Sequence, residues 1–340
     1  MSNERPIASR YGGNRNRLAR SASRRGTRRP PFARSFFGHW MPGRPRLGSE
    51  FVMDHERARV LVLAAHPDDA EYHAGGLLAA HASRGADVRI ISVTDGSAGH
   101  HRRHPRELAV LRRDEAREAG RVLGAEYVTW DFPDAALFPT LELRRRMIRE
   151  MRAFRPDLIL THRTCDYHPD HRAVGQSVQD ASYLVTVPLV APDAPHVDTA
   201  PVVAHMCDLF TRPYPFRPRV VFDVEPCLDV IVRMLACHRS QVFEFLPYNQ
   251  GNERVPESED DRIAWLAAWY RRMIRPRADH FRAALVARYG EAGNRVEHIE
   301  AYEISEYAAP LADDELDRLF PDPASSPGGV PRIRVEKGPQ

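Results

Sequence analysis

An apolar run at residues 59–65 stops abruptly at the tetrapeptide His66-Pro67-Asp68-Asp69. A continuous apolar run of this kind is typical of a central parallel strand that is buried on both faces. Further strands alternate with segments of helical periodicity: strands at 87–93, 126–130 and 157–161, and helices at 74–84, 106–123 and 141–154. This alternation predicts an α/β fold, with a Rossmann-like, doubly wound, mostly parallel sheet and helices on both faces.

A second polar run, His168-Pro169-Asp170-His171, follows the strand predicted at 157–161 and precedes a helix predicted at 171–184. Ligands of doubly wound sheets bind at the carboxyl ends of the strands, which is where both runs fall. Imidazole and carboxylate groups are what a hydrolytic Zn²⁺ site needs, together with an open position and a base. The two runs therefore predict one metal site, although either run alone is also compatible with a turn or a helix N-cap.

Proline restricts the backbone within both runs. Pro67 favours an extended or turn conformation directly after the strand, which lets His66 and Asp69 converge on one metal and directs Asp68 elsewhere. Pro169 has the same effect in the second run, where the two histidines flank Asp170.

Charge divides the chain into an N-terminal segment and a body. Residues 1–50 contain twelve arginines and two acids, a formal charge of +10, whereas the whole chain carries +3, so residues 51–340 carry −7. An acidic body argues against nucleic-acid binding by that part. We expect residues 1–52 to be a disordered Arg-rich extension. Its alternatives are an organellar transit peptide, a nucleic-acid-binding arm, or an upstream extension of a reading frame that starts at Met53.

The rest of the chain continues the alternation less regularly. We expect a long loop at 187–218 with one strand inside it, and the remaining elements are strands at 219–224 and 298–304 and helices at 226–237 and 260–290. Residues 53–310 are predicted to form the main domain, and residues 311–340 a largely irregular tail.

No apolar run is long enough for a transmembrane span, and the four cysteines form no C-x-x-C pair, so we expect a soluble cytoplasmic protein without disulfides.

Both runs, taken with several shorter motifs, resemble the PIG-L/LmbE-like de-N-acetylase family. The resemblance extends over about residues 57–305. The matching segments are Ala65-His66-Pro67-Asp68-Asp69, Gly75-Gly76, Thr94-Asp95-Gly96, Arg112 with Glu115, Leu123-Gly124, Asp166-Tyr167-His168-Pro169-Asp170-His171, Cys237-His238-Arg239-Ser240-Gln241 and Glu300-Ala301-Tyr302-Glu303. Two positions depart from the family pattern. Ala70 and then Glu71 stand where many members have Glu directly after the second Asp, and Asp166 stands where some have Tyr.

The resemblance implies a role for each residue of the two runs. His66, Asp69 and His171 would bind the metal, and Asp68 would act as general base. His168 would be the electrophilic or acid partner, with Asp170 orienting it. The implied cofactor is Zn²⁺, with Fe²⁺ as the alternative.

Three further residues are candidate substrate contacts: Arg112, Asp134 and Asp95. For each there is a simpler interpretation. Arg112 is equally compatible with a solvated helix salt bridge, Asp134 with a turn, and Asp95 with capping of a turn or support of the site.

The resemblance thus predicts a zinc-dependent hydrolase that removes acetyl from a small N-acetylated amino sugar or glycoconjugate. A second hypothesis is an amidase that cleaves a larger acyl or cysteinyl amide of a glucosamine conjugate. A third is a non-catalytic metal-containing binding protein, which would have no need of Asp68 and His168. The oligomeric state, including a homo-oligomer, is left open.

Overall fold

A computed structural model describes residues 57–251 and 254–323. The N-terminal extension predicted at 1–52 and the end of the tail therefore lie outside the described residues. Within the described part, none of the helices is both long enough and apolar enough to cross a membrane.

Seven strands form a single sheet in the order β3-β2-β1-β4-β5-β7-β6. Strands β1 to β5 are parallel, and β7 is antiparallel to both β5 and β6. The strands are β1 Arg59–Ala64, β2 Asp87–Thr94, β3 Glu126–Phe132, β4 Leu158–Thr161, β5 Val202–Met206, β6 Val220–Asp223 and β7 Ile299–Ile304. The predicted α/β fold with a mostly parallel sheet is confirmed.

Helices cover both faces of the sheet because alternate residues of β1 point to opposite sides. Val60 and Val62 pack in a core with α1, α2, α5 and α7, whereas Leu61 and Leu63 pack in a second core with α3 and α4. The helices are α1 Asp69–Ser83, α2 Pro105–Leu123, α3 Leu141–Phe154, α4 Pro169–Leu184, α5 Leu228–Cys237, α6 Leu246–Asn249, α7 Glu259–His280, α8 Arg282–Tyr289 and α9 Leu316–Leu319, with a π-helical segment at Ser240–Phe245.

Two helices begin at least two residues earlier than their sequence pattern predicts, and both starts lie in the polar runs. Helix α1 begins at Asp69 rather than at 74, and α4 begins at Pro169 rather than at 171. Proline suits the first position of a helix, where its missing N–H needs no partner. The two runs therefore supply the first turns of helices that follow β1 and β4.

The C-terminal segment packs on the body as far as it is described. Residues 313–319 form a short 3₁₀ turn and α9, and the side chains of Leu319 and Phe320 are buried. His81 Nε2 lies 3.0 Å from the Leu319 carbonyl oxygen, which ties this segment to the last turn of α1.

Candidate metal centre and active site

Neighbouring parallel strands bring the two polar runs to the same edge of the sheet. β1 pairs with β4 so that Leu63 lies opposite Thr161, and each strand then ends. The direction of the strand order reverses at this pair, which is the usual position of a ligand crevice in a doubly wound sheet. Helix α4 can lie close to the end of β4 because Gly175 has no side chain, and a Cβ there would be 2.6 Å from the His162 carbonyl oxygen.

Ligand atoms of His66, Asp69 and His171 form a triangle. His66 Nδ1 lies 3.3 Å from His171 Nε2 and 3.4 Å from Asp69 Oδ2. His171 Nε2 lies 3.5 Å from the other carboxylate oxygen, Asp69 Oδ1, so the triangle is one of residues and includes both oxygens of Asp69. Tetrahedral Zn²⁺ with bonds of about 2.0–2.1 Å needs ligand atoms about 3.3 Å apart, so this donor set fits the metal.

The far nitrogen of each imidazole in the triangle faces carboxylates. His66 Nε2 lies 3.2 Å from Asp134 Oδ1 and 3.4 Å from Asp170 Oδ2. His171 Nδ1 lies 3.1 Å from Asp166 Oδ1. A proton held at each far nitrogen leaves the near nitrogen with a lone pair for metal, which is the usual carboxylate–histidine–metal arrangement.

The charge around the triangle also favours a divalent cation. Four carboxylates surround the two imidazoles, from Asp69, Asp134, Asp166 and Asp170. Burial raises the pKa of Asp134, but His66 and Arg112 outweigh it and bring this pKa to about 2, so the carboxylate is ionised. Buried negative charge of this density requires a positive partner.

Asp68 stands beside the triangle in a strained backbone conformation. Its φ of 114° lies in the left-handed region, which is rare for a residue other than glycine. Its backbone N–H donates to Tyr127 Oη, and its carboxylate accepts from Arg112 at 3.3 Å. Burial raises the pKa of Asp68 to about 6 against the opposing effect of Arg112. Strain of this kind is concentrated at functional sites.

Arg112 is almost fully buried and fixed by backbone groups as well as by Asp68. Its guanidinium donates to the carbonyl oxygens of Pro67 and Gly96. Arg112 therefore makes a buried contact with the first polar run. It does not form the solvated helix salt bridge that was the alternative interpretation.

His168 is the N-cap of α4, and this position defines its protonation pattern. Its Nδ1 accepts a hydrogen bond from the Asp170 N–H at 3.2 Å, so the neutral ring carries its proton on Nε2. The ring meets that of His66 edge-on, with centroids 4.5 Å apart. Burial lowers the pKa of His168, which favours this neutral form.

The Asp170 carboxylate does not orient His168, which corrects one expectation drawn from the resemblance. Its oxygens accept the N–H groups of Ala135 and Leu137, and one of them faces His66. Only the backbone amide of Asp170 reaches His168, because the helix turns the side chain towards the β3–α3 loop. Asp95 accepts from the N–H groups of Ser97 and Asp134, so it shapes the loop that presents Asp134.

The sequence assigned no role at the site to three further residues. His162 stacks on His171 with centroids 3.9 Å apart and lies 3.3 Å from Asp69. It follows β4 as His66 follows β1, a signal that could have indicated it. Glu71 and His238 form a fully buried pair at 2.9 Å, which nothing in their sequence spacing indicates. Three groups of the described residues offer ligand atoms at metal-binding spacing, namely His66-His168-His171, Asp69-His162-His171 and His66-Asp134-Asp170, so His66, Asp69 and His171 each belong to such a group although not all three to the same one.

Comparisons with known proteins agree with this geometry. Residues 61–182 match the family model described as PIG-L, GlcNAc-PI de-N-acetylase. Diacetylchitobiose deacetylase of Thermococcus kodakarensis is 27% identical over 200 residues, covering 54% of this chain and 70% of that protein. A 4-oxalmesaconate hydratase of Pseudomonas putida is 26% identical over 211 residues, covering 58% and 79%.

A solved structure shares the fold. The N,N'-diacetylchitobiose deacetylase of Pyrococcus horikoshii superposes with a TM-score of 0.55 at 22% identity, covering 74% of this chain and 85% of that one. The matched region, residues 61–182, contains every residue of both polar runs. Residues 61–182 thus match the PIG-L (LmbE-like) family, in agreement with the resemblance that the sequence motifs indicate.

Proposed function

We propose that this protein is a zinc-dependent hydrolase that removes the acetyl group from an N-acetylated amino sugar or glycoconjugate. The observation that carries the proposal is the triangle of His66, Asp69 and His171, backed by carboxylates and flanked by Asp68. A closed structural zinc site has four protein ligands and no use for a neighbouring base.

His66, Asp69 and His171 would hold the metal. Two imidazoles and one carboxylate with a position left open are typical of catalytic Zn²⁺, and Fe²⁺ accepts the same donors. When bound, the ion supplies Lewis acidity, which polarises the amide carbonyl and lowers the pKa of water.

Asp68 is the proposed general base. Arg112 fixes its carboxylate, which can accept a proton from the attacking water and return it to the leaving amine. The Asp134 carboxylate keeps the His66 ring in the tautomer that presents Nδ1 to the triangle.

His168 is the proposed oxyanion donor. Because its Nδ1 is occupied by the Asp170 N–H, the proton on Nε2 is available to an oxygen that gains charge as the carbonyl carbon becomes tetrahedral. A neutral imidazole already oriented by the start of a helix needs no rearrangement for this task.

The family and the deacetylase relative support an N-acetylated amino sugar as substrate. One relative is named as a hydratase rather than a deacetylase, so the panel of test substrates should include more than acetamides. The panel would contain N-acetylglucosamine, N,N'-diacetylchitobiose, a larger N-acyl glucosamine conjugate and 4-oxalmesaconate.

The experiment measures acetate, amine and hydration product after chelation of the protein and reloading with Zn²⁺ or Fe²⁺. We expect acetate release from the acetylated sugars that is lost on chelation and restored by metal. Amine release from the larger conjugate alone would favour the amidase hypothesis. Metal binding without turnover of any substrate would favour the binding-protein hypothesis.

A further inference from the structure

The ring of His162 lies flat against the ring of His171. The two ring centroids are 3.9 Å apart, and the ring planes differ by only 13°. Both residues are buried, so neither ring is free to swing out into solvent. Rings stacked at this distance restrict each other's orientation. One face of the His171 imidazole is therefore covered by His162.

His162 also has the spacing of a metal ligand, because it forms a candidate group with Asp69 and His171. Its Nε2 lies 3.3 Å from Asp69 Oδ2. The same nitrogen, however, accepts the backbone N–H of Ala65 at 3.1 Å, so its lone pair is occupied by that hydrogen bond. An imidazole nitrogen binds a metal through its lone pair. The contact with Ala65 thus excludes this nitrogen from the ligand set although its distance would suit a ligand.

The fold fixes His162 from several sides. His162 directly follows β4, and its ring accepts from Ala65, which directly follows β1. Its carbonyl oxygen accepts a hydrogen bond from His205 Nδ1 at 2.9 Å. Gly175 of α4 packs against that same oxygen, which would lie 2.6 Å from a Cβ at Gly175. The ring is therefore held by the two strands that position the polar runs.

We infer that His162 is a positioning residue, whose ring holds the His171 imidazole with Nε2 towards His66 and Asp69 and does not itself bind the metal. The contact of His171 Nδ1 with Asp166 fixes one edge of the imidazole, and the stacked ring fixes its plane. The inference rests on the proposed function in taking His171 as a metal ligand. It assigns a role to a residue that lies in neither polar run.

Two substitutions separate the two contacts of the His162 ring. His162→Phe keeps a flat ring against His171 but cannot accept the Ala65 N–H, whereas His162→Gln keeps an acceptor for that N–H and loses the ring. We expect the Kd for Zn²⁺, measured by competition with a chelator, to stay within about twofold of wild type in His162→Phe. In His162→Gln it should rise by about 3- to 10-fold, which is the size of a lost stacking contact.

The melting temperature of the metal-free variants should follow the opposite order. We expect His162→Phe to melt about 2–6 °C below His162→Gln, because it leaves the buried Ala65 N–H without an acceptor. A loss of structure alone would lower zinc affinity and melting temperature in the same order. His81→Phe is the matched control, because His81 is a buried histidine in the last turn of α1, and it should leave the Kd for Zn²⁺ unchanged.

Equal Kd values for His162→Phe and His162→Gln, whether near that of wild type or far above it, would overturn the inference. A crystal structure of the zinc-loaded wild-type protein tests it without any substitution. We expect His162 Nε2 to remain on the Ala65 N–H and its ring to remain stacked on His171. A bond from the metal to His162 would overturn the inference and leave the deacetylase proposal standing. The expected order of Kd values without acetate release from any substrate would support the inference and count against the proposed function alone.

Discussion

Asp134 Oδ1 lies 3.2 Å from His66 Nε2, on the side of the ring opposite to Asp69 and His171. Its other carboxylate oxygen accepts the Ala98 N–H, so Asp134 is fixed by the loop that follows β2. A carboxylate in this position orients the imidazole and makes its other nitrogen a better metal ligand.

Loss of the Asp134 carboxylate should therefore weaken metal binding although Asp134 need not touch the metal. We expect Asp134→Ala to raise the Kd for Zn²⁺ by about 10- to 100-fold, and Asp134→Asn to have a smaller effect because its amide oxygen can still lie beside His66 Nε2. Competition with a chromogenic chelator measures both. Asp131→Asn is the control, since Asp131 is an exposed partner of Arg146. Equal Kd values for Asp134→Ala and wild type would contradict this role.

The Glu71–His238 pair should be important for stability. Both side chains are fully buried, and the Tyr127 hydroxyl also reaches Glu71. Glu71→Ala leaves His238 without its partner in a buried position, so we expect a loss of about 3–5 kcal/mol in the free energy of unfolding.

Chemical denaturation measures that loss, and an ion pair on the surface provides the comparison. Glu259→Ala removes the exposed pair with Arg239 and should cost no more than about 1 kcal/mol. If the two variants were destabilised to the same extent, the prediction that the buried pair contributes more to stability would be wrong.

Stability should fall in mild acid because of His81. Burial lowers the pKa of His81 to about 4, despite its hydrogen bond to the Leu319 carbonyl oxygen. The unfolded chain binds this proton near pH 6.5 and the folded chain only near pH 4, so the contribution is present above pH 6.5 and is lost as the pH falls towards 4. Its full size is about 3 kcal/mol.

Unfolding free energies of wild type and His81→Leu at pH 7 and pH 4.5 test this linkage. We expect wild type to lose more stability than the variant on acidification, whereas His196→Leu, at an exposed histidine, should follow wild type. A parallel loss in wild type and His81→Leu would show that another group is responsible.

Local sequence signals were sufficient for most of the fold. The apolar run of β1 and the periodicity of α3, predicted at 141–154 and found there, depend on short-range patterns. The start of α1 was missed because Pro67 favours a turn or extended backbone directly before it, a pattern that does not indicate a helix beginning at Asp69. In the structure the Glu300 carboxylate, 223 residues away from Leu77, accepts the N–H groups of Gly76 and Leu77. No local pattern contains such a contact.

The candidate site was likewise predictable from the sequence only in part. The residue types and their strand-end positions predicted that the two polar runs would meet at one site, and the resemblance implied His66, Asp69 and His171 as its metal ligands. In the structure, side-chain atoms of these three residues lie 3.3–3.5 Å apart. The partners behind them could not be predicted, because Asp134 and Asp170 approach His66 from different loops and helices. The spacing of the residues along the chain does not indicate that the Asp170 carboxylate lies beside His66, and the three-dimensional structure does.

The most direct test of the central proposal is the rate of acetate release by zinc-loaded Asp68→Asn, measured with its metal content. Asparagine keeps the shape of Asp68 but cannot accept the proton of water, so we expect kcat to fall by about 10²- to 10⁴-fold with zinc bound as in wild type. Turnover by Asp68→Asn within a few-fold of wild type, at equal zinc content, would contradict the account.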